Sequence, residues 1–111
     1  MIKMIATDID GTILKWGLNF TPELKNCIKN LSSNGIKVVL VTGRMHIAAM
    51  PVARELGLNT PIISYQGGLI KQDGKTLYER CLTEEQAEKV LAWSKEEKIH
   101  VNLYNDDELF S

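Results

Sequence analysis

The sequence predicts an α/β fold, a parallel sheet of three strands with helices, followed by the start of a smaller α+β unit. Strand-like and helix-like segments alternate along the first part of the chain, at residues 1–7, 21–34, 36–41, 45–56 and 61–65. Strands and helices that alternate with short links are typical of right-handed βαβ units in a parallel sheet. After Tyr65 a hairpin signal and a separately capped helix replace this alternation. We therefore predict two domains, residues 1–80 and 81–111.

The strands of the predicted sheet are apolar runs. Residues 1–6 predict a buried strand, and residues 36–41 form the unbroken aliphatic run that is typical of a parallel strand covered on both faces. Residues 61–65 predict a third buried strand. Ligands of open α/β sheets bind at the carboxyl ends of the strands, so polar residues at these ends are the first candidates for a site.

The first helix has clear start and stop signals. Thr21 is a favourable N-cap, Pro22 suits the first helical position, and Gly35 suits the left-handed residue that ends a helix. Apolar residues spaced i, i+3, i+4 and i+7 predict one buried stripe, made of Leu24, Cys27, Ile28 and Leu31. On this pattern we expect Cys27 to be a small buried hydrophobe.

The later segments carry local signals of their own. Pro51 lies inside the second helical segment, so we expect a kink or two short helices there. The Asp-Gly pair at residues 73–74 predicts a hairpin turn, and Thr83 begins a capping box. Residues 99–104 and 108–110 predict two further strands that pair with each other.

Composition excludes several classes of function. The 111 residues include 24% charged side chains and carry a net charge of −1, so charge does not favour nucleic acid or an anionic membrane as a partner. No apolar run is long enough to span a membrane, and the N-terminus lacks a signal-peptide pattern. Cys27 and Cys81 show neither disulfide nor zinc spacing. We therefore expect a cytoplasmic protein.

Two aspartates, Asp8 and Asp10, follow directly on the first strand. Side chains at i and i+2 of an extended segment point the same way, and two adjacent carboxylates either share a proton or bind a cation. Three interpretations are open at this point. The pair is a carboxylate nucleophile with a neighbouring general acid and base, a metal–nucleotide site of the kind some glycosyltransferases use, or a solvated acidic loop.

Two more strand ends carry candidate site residues. Thr42, Gly43 and Arg44 end the second strand just before a helix, where a hydroxyl and free backbone amides predict a phosphate-binding corner. Because this strand follows the first by one βαβ unit, the two ends are expected to meet. Gln66 ends the third strand, and a ligand contact and a simple turn into the hairpin are about equally favoured for it.

Residues 8–12 and 42–44 together resemble the first two motifs of the haloacid dehalogenase (HAD) superfamily of phosphohydrolases. The order of elements from residue 1 to residue 110 resembles that of the Cof-type, sugar-phosphatase-like branch, whose α+β cap follows the third strand. The resemblance implies a HAD-like Rossmannoid core in the first part of this chain and the beginning of the cap in the second. It also implies a phosphatase of small phosphorylated metabolites.

The resemblance implies a role for each motif residue. Asp8 would be the nucleophile that attacks phosphorus. Asp10 would protonate the leaving group and then activate the water that hydrolyses the aspartyl-phosphate. Mg²⁺ would be held by the Asp8 carboxylate and the Asp10 backbone carbonyl. Phosphate contacts are implied for Gly11, Thr12, Thr42, Gly43 and Arg44.

Two later motifs of the family have no counterpart in this sequence. They are a lysine that neutralises the phosphate and an acidic cluster that completes the metal site. Residues 105–108 are acidic but look like a hairpin turn, and Gln66-Gly67 stands where family members usually have Asn-Gly. The chain therefore resembles the N-terminal portion of such an enzyme, and we expect negligible turnover from it alone.

Two alternatives to the phosphatase hypothesis stay open. The chain is a non-catalytic folded fragment, or it is part of a phosphomutase, since phosphomutases share the first motif. In the family's sheet the first strand is central, so residues 1–7 would have a bare edge here. An exposed apolar edge invites pairing with another chain, and we expect self-association through it.

Overall fold

The computed structural model describes residues 1–111, which form two compact units, Met1–Glu79 and Arg80–Ser111. The first unit contains β1 (Met4–Thr7), α1 (Pro22–Ser33), β2 (Lys37–Val41), α2 (His46–Glu55), β3 (Ile62–Ser64), β4 (Leu69–Gln72) and β5 (Lys75–Glu79). The second unit contains α3 (Glu84–Glu97), β6 (Leu103–Asn105) and β7 (Glu108–Phe110). That this second unit is the start of a cap stays a prediction.

The first unit is built on one five-stranded sheet in the order β1-β2-β3-β4-β5. β1 and β2 are parallel, with Thr7 opposite Leu40, and β2 and β3 are parallel, with Leu40 opposite Ile62. The predicted α/β class and its three parallel strands are therefore confirmed. β4 and β5 continue the same sheet as antiparallel strands, so the hairpin extends the sheet.

β1 differs in burial from β2, the strand beside it. Val38 and Leu40 of β2 are 2% and 1% exposed, as the aliphatic run predicts. Met4 of β1 is 58% exposed and Ile2 is 69% exposed, so the prediction of a buried first strand is wrong. The reason is that β1 pairs only with β2 and lies at the sheet edge.

α1 confirms its predicted caps. The Leu24 amide donates to Thr21 Oγ1 at 3.2 Å, and Gly35 has a φ of +77°. The prediction for Cys27 is wrong, because its side chain is exposed. Only Ile28 of the apolar stripe is fully buried, which places Cys27 at the solvent side of the stripe.

α2 is a single helix with Pro51 inside it, so the predicted division into two short helices is wrong, and the predicted kink stays a prediction. Pro51 is the sixth of ten helical residues, and its missing N–H would have bonded to the carbonyl four residues earlier. That carbonyl belongs to Ile47 in the first turn, where the helix has the most freedom to adjust. Ala49, Val52 and Ala53 on this helix are buried and hold it against the sheet.

The core of the first unit joins the sheet to both helices. It comprises Ile9, Phe20, Ile28, Val38, Leu40, Ala49, Val52, Ala53, Leu56 and Ile62.

The β4–β5 turn is the predicted Asp-Gly turn, with φ of +49° at Asp73 and +75° at Gly74. These values are those that a tight hairpin with right-handed strand twist requires.

The second unit has well-formed local structure but little burial. Thr83 and Gln86 form the predicted capping box, and β6 pairs with β7 in the predicted hairpin. The acidic residues between these strands form its turn, with φ of +48° at Asp106 and +62° at Asp107. Ser94 is the only buried residue of α3. None of the three helices combines the length and apolar character of a membrane span.

Candidate active site

The carboxyl ends of the parallel strands surround one open pocket of about 490 Å³ in the first unit. Asp8 follows β1, Thr42 and Gly43 follow β2, and Gln66 follows β3. The lining consists of Ala6, Thr7, Asp8, Val41, Thr42, Gly43, Gln66 and Gly67. The structure thus brings together the nucleophile candidate and two of the predicted phosphate-binding residues.

Asp8 presents an exposed carboxylate to this pocket. Its Oδ1 accepts a hydrogen bond from the Ile9 amide at 2.7 Å, which fixes the orientation of the group. Oδ2 accepts no hydrogen bond from the protein. One oxygen is therefore anchored and the other is available to a metal ion or an electrophile.

Asp10 makes a two-pronged ion pair with Arg44. Arg44 Nε donates to Oδ2 at 2.7 Å and a terminal guanidinium nitrogen donates to Oδ1 at 2.5 Å. The hydrogen bond from Arg44 lowers the pKa of Asp10 below its ordinary value, and Asp10 in turn raises the pKa of Arg44. Asp10 is therefore an ionised carboxylate at neutral pH in this arrangement. Neither residue lines the pocket that contains Asp8.

Thr42 is buried, at 3% exposed, and is fixed on both sides of its backbone. Its amide donates to the Ile63 carbonyl at 2.9 Å, and its carbonyl accepts from the Gln66 amide at 3.2 Å. Thr42 Oγ1 accepts from the Arg44 amide at 3.0 Å, which leaves the hydroxyl proton free to donate. The neighbouring Gly43 amide makes no hydrogen bond within the chain, so two adjacent donors are available to an anion.

Gly11 and Thr12 lie in the turn after the aspartates and do not line the pocket. The Gly11 amide donates to the Leu14 carbonyl at 2.8 Å, and the Thr12 amide donates to the Ile9 carbonyl at 3.2 Å. Gly11 has a φ of +77°, which glycine adopts without strain. For the Gly11 amide to contact a phosphoryl group, its bond to Leu14 would have to open or be shared.

Gln66 is the residue that sequence reasoning left undecided. It belongs to a short turn, Tyr65–Gly67, and also lines the pocket with Asp8. Tyr65 and Gln66 have φ of +50° and +56°. A Tyr-Gln sequence does not predict these left-handed backbone conformations. The Gly-Gly that follows was the one signal of an unusual backbone at this strand end.

The carboxylates fit a magnesium ion only as a partial set of ligands. No group of three His, Cys, Asp or Glu side chains in the chain is placed to hold a metal. Mg²⁺ is commonly bound through one or two carboxylates, with substrate phosphate and water completing the shell. The available Asp8 oxygen meets that minimum, whereas the Asp10 side chain is occupied by Arg44.

A second cavity of the first unit, about 350 Å³ in volume, lies between α2 and the β4–β5 hairpin. Its charged lining residues include Arg54, Lys71 and Asp73. None of the residues predicted for the site lies there, so the pocket that contains Asp8 is the candidate active site.

Known proteins share this fold and sequence pattern. A family model described as haloacid dehalogenase-like hydrolase matches residues 5–111. A 5-amino-6-(5-phospho-D-ribitylamino)uracil phosphatase, YwtE of Bacillus subtilis, is 33% identical over 111 residues, which are 99% of this chain and 38% of that protein. The pyridoxal phosphate phosphatase YbhA of Escherichia coli is 31% identical over 107 residues, 95% of this chain and 39% of that protein.

A solved structure with the same fold also belongs to a haloacid dehalogenase-like hydrolase. A haloacid dehalogenase-like hydrolase from B. subtilis superposes with a TM-score of 0.86 at 28% identity, covering 97% of this chain and 38% of that one. The chain thus spans about two fifths of the length of the relatives it matches. Since the family model covers nearly every residue, the chain belongs to the haloacid dehalogenase-like hydrolases.

Proposed function

We propose that this chain carries the nucleophile half of a Mg²⁺-dependent phosphatase site for small phosphorylated metabolites. The observation that carries the proposal is the common pocket of Asp8, Thr42 and Gly43 at the carboxyl ends of β1 and β2. It supports the roles implied by the motifs, because it places a carboxylate with a free oxygen beside two unused hydrogen-bond donors. Phosphoryl transfer depends mainly on such positioning and on neutralisation of charge.

The proposed reaction has two steps. The free oxygen of Asp8 attacks phosphorus, the bond from phosphorus to the ester oxygen breaks, and Asp10 gives a proton to the departing oxygen. Water then attacks the aspartyl-phosphate, Asp10 takes a proton from it, and Asp8 returns to a carboxylate with release of inorganic phosphate. Thr42 and Gly43 hold the phosphoryl oxygens through both steps.

The ion pair with Arg44 has a consequence for Asp10 in this scheme. An ionised Asp10 suits the second step, in which it takes a proton from water, but not the first, in which it gives one. We propose that a bound phosphoryl group draws Arg44 away, which lets the pKa of Asp10 rise for the first step. Arg44 would then be the phosphate contact that the motif implies, together with Gly11 and Thr12.

The proposed metal ligands are the Asp8 carboxylate and the Asp10 backbone carbonyl. A bound Mg²⁺ would supply charge neutralisation between the carboxylate and the phosphate.

The relatives YwtE and YbhA act, by their names, on two different phosphorylated small molecules. We therefore propose the class of substrate and no single compound. The lack of disulfide spacing between Cys27 and Cys81 and the balanced charge support a cytoplasmic location.

A non-catalytic role is the second candidate, and the pocket's composition favours it for the chain alone. No lysine lines the pocket, and no third metal-binding side chain lies near. Each missing electrostatic group costs about 3 kcal/mol of transition-state stabilisation. We therefore propose that the 111 residues bind phosphate and metal weakly but turn over little substrate. The remaining alternative to a phosphatase is that this chain forms part of a phosphomutase.

Calorimetry with inorganic phosphate tests the site before any turnover is needed. We expect phosphate to bind, and Mg²⁺ to tighten binding in the wild-type chain but not in Asp8→Asn. Absence of phosphate binding with and without the metal would contradict the proposal. A parallel assay on a generic phosphate monoester decides between the candidates. Turnover that needs Mg²⁺ and is lost in Asp8→Asn would show that the chain is catalytic by itself.

The exposed edge of β1 supports a further partner, a second copy of this chain. β1 pairs on one side only, and Ile2 and Met4 beside its free edge are exposed. Charged residues on an edge strand discourage pairing between chains. We expect sedimentation to show dimers that Met4→Lys weakens. A monomer at millimolar concentration would contradict this.

A further inference from the structure

We propose that the side-chain amide of Gln66 is a phosphate-contacting group of this site, and that residue 43 is glycine because the amide occupies the space of its side chain. A Cβ atom built on Gly43 would lie 2.3 Å from Gln66 Nε2 and 2.9 Å from Gln66 Cδ. The carboxamide therefore lies directly on the Gly43 backbone. The inference rests on the proposed phosphate site.

The loop that carries Gln66 is fastened to the loop that carries Gly43. The Tyr65 amide donates to the Arg44 carbonyl at 3.0 Å, and the Gln66 amide donates to the Thr42 carbonyl at 3.2 Å. These two bonds tie the end of β3 to the phosphate-binding corner after β2. The backbone of Gln66 is thus held beside Gly43, within reach of its side chain.

The backbone at Gln66 is strained in a way that glycine would avoid. Tyr65 and Gln66 are consecutive non-glycine residues in the left-handed region, with φ of +50° and +56°. Such conformations are unfavourable for residues with a Cβ and concentrate at functional sites. A plain turn into the hairpin would be more stable with glycine at residue 66, so the strain points to a use for the glutamine side chain.

The side-chain amide of Gln66 is free to bind a ligand, whereas the side-chain amides of Gln72 and Gln86 are already hydrogen-bonded within the chain. It makes no hydrogen bond within the chain and is exposed to the pocket. Gln72 Nε2, in contrast, donates to the Asn59 carbonyl at 2.6 Å. Gln86 Oε1 accepts from the Thr83 amide at 2.9 Å in the capping box. Gln66 and the Gly43 amide are adjacent neutral donors, which bind phosphoryl oxygens without competing with a metal ion for Asp8.

The side-chain NH₂ signals of the ¹⁵N-labelled 111-residue chain report this contact directly. We expect the Gln66 pair to shift during titration with inorganic phosphate and Mg²⁺, with the same saturation as the Gly43 backbone amide. Gln72 and Gln86 serve as internal controls and should not move. A Gly43 amide that moves without Gln66 would overturn the inference and leave the phosphate site standing. If neither moves, the proposed site itself is wrong.

Variants separate a phosphate contact from a structural role. Gln66→Ala and Gln66→Glu should weaken phosphate binding about three- to tenfold, the loss expected for one hydrogen bond. Gln66→Gly should weaken binding equally while unfolding at the same or a higher urea concentration, because it relieves the strain. Unchanged phosphate affinity in Gln66→Gly would overturn the inference.

Gly43→Ala provides a second, independent test. Gly43 does not have a positive φ, and the three atoms nearest to a Cβ built there all belong to the Gln66 carboxamide. We expect Gly43→Ala to weaken phosphate binding in the wild-type chain and to have little further effect beside Gln66→Ala, a coupling that a double-mutant cycle measures. Additive losses would overturn the inference.

Discussion

The two units of this chain have local structure of similar quality but very different burial. All eleven buried hydrophobic residues of the chain lie between Ile9 and Ile62 in the first unit. The second unit has none, and several of its large apolar side chains are about half exposed, among them Trp93 at 52% and Phe110 at 49%. The helix and hairpin of the second unit therefore carry clear capping and turn signals, but only the first unit has a core.

The difference matters for the candidate site. Asp8, Thr42 and Gln66 all lie at strand ends that the core of the first unit supports. Isolated helices and two-stranded hairpins are marginal in water unless they pack on something. We therefore infer that the first unit supplies the stability of this chain and the whole of the proposed phosphate-binding pocket.

Hydrogen exchange should show the largest contrast between the units. Amides of β2, such as Leu40, should exchange only by global unfolding, at a cost of about 5 kcal/mol or more. Amides of β6 and β7 should exchange through local opening at little cost. Equal protection in the two hairpins β4–β5 and β6–β7 would contradict the comparison.

Core truncation should have the next largest effect. Leu40→Ala removes a side chain that is 1% exposed and should lower the free energy of unfolding by about 2–5 kcal/mol. Leu109 is 53% exposed, so Leu109→Ala should change it by no more than about 0.5 kcal/mol. Urea unfolding of the full chain measures both. Similar losses from the two variants would mean that the second unit has a core of its own.

Replacing the N-cap residue of α1 or of α3 gives a matched pair of variants with a smaller expected effect on stability. Thr21 and Thr83 each accept a hydrogen bond at 3.2 Å from an amide of their own helix. Thr21→Ala should lower the free energy of global unfolding by about 1 kcal/mol. Thr83→Ala should reduce the helical circular dichroism signal without moving the global urea midpoint, because no residue of α3 belongs to the core cluster. A shift of the global midpoint by Thr83→Ala would count against this.

Removing the Asp10–Arg44 ion pair should have the smallest effect on the free energy of unfolding, and this effect should depend on pH. Because Arg44 lowers the pKa of Asp10 in the folded chain, the pair stabilises above the ordinary carboxyl pKa and loses its contribution as pH falls through the folded value. Both side chains are about a third exposed, so Arg44→Gln should cost less than about 1 kcal/mol at neutral pH.

Titration by NMR checks the cause of that effect. The pKa of Asp10 should rise in Arg44→Gln and stay unchanged in Lys25→Gln, which removes only the surface pair between Lys25 and Glu55. The stability difference between wild type and Arg44→Gln should vanish in acid, where Asp10 is protonated in both. An Asp10 pKa that is unaffected by the loss of Arg44 would refute the assignment.

The outcome of the sequence predictions follows the same division between local and non-local physics. The N-caps at Thr21 and Thr83 and the turn at residues 73–74 depend on neighbouring residues, and they were predicted correctly. The burial of Cys27 and of β1 depends on what packs against them, and both predictions were wrong. An apolar pattern shows which face a segment prefers to bury but not whether a neighbour is present to cover it.

The candidate site shows the same limit. The meeting of Asp8 with Thr42 and Gly43 was predictable, because parallel strands bring their carboxyl ends to one edge. The pairing of Asp10 with Arg44 joins residues 34 positions apart, and nothing in the motif spacing indicates it. The contact of Gln66 with Gly43 depends on two left-handed residues that the sequence does not signal.

The measurement that tests this account most directly is a map of the backbone amides that respond to inorganic phosphate in the presence of Mg²⁺. We predict saturable shifts at Ile9, Thr42 and Gly43, weaker binding in Thr42→Val, and no response from residues 84–110. Shifts that concentrate in the second unit, or no saturable shift around Asp8, would contradict the claim that the first unit contains the whole phosphate-binding pocket.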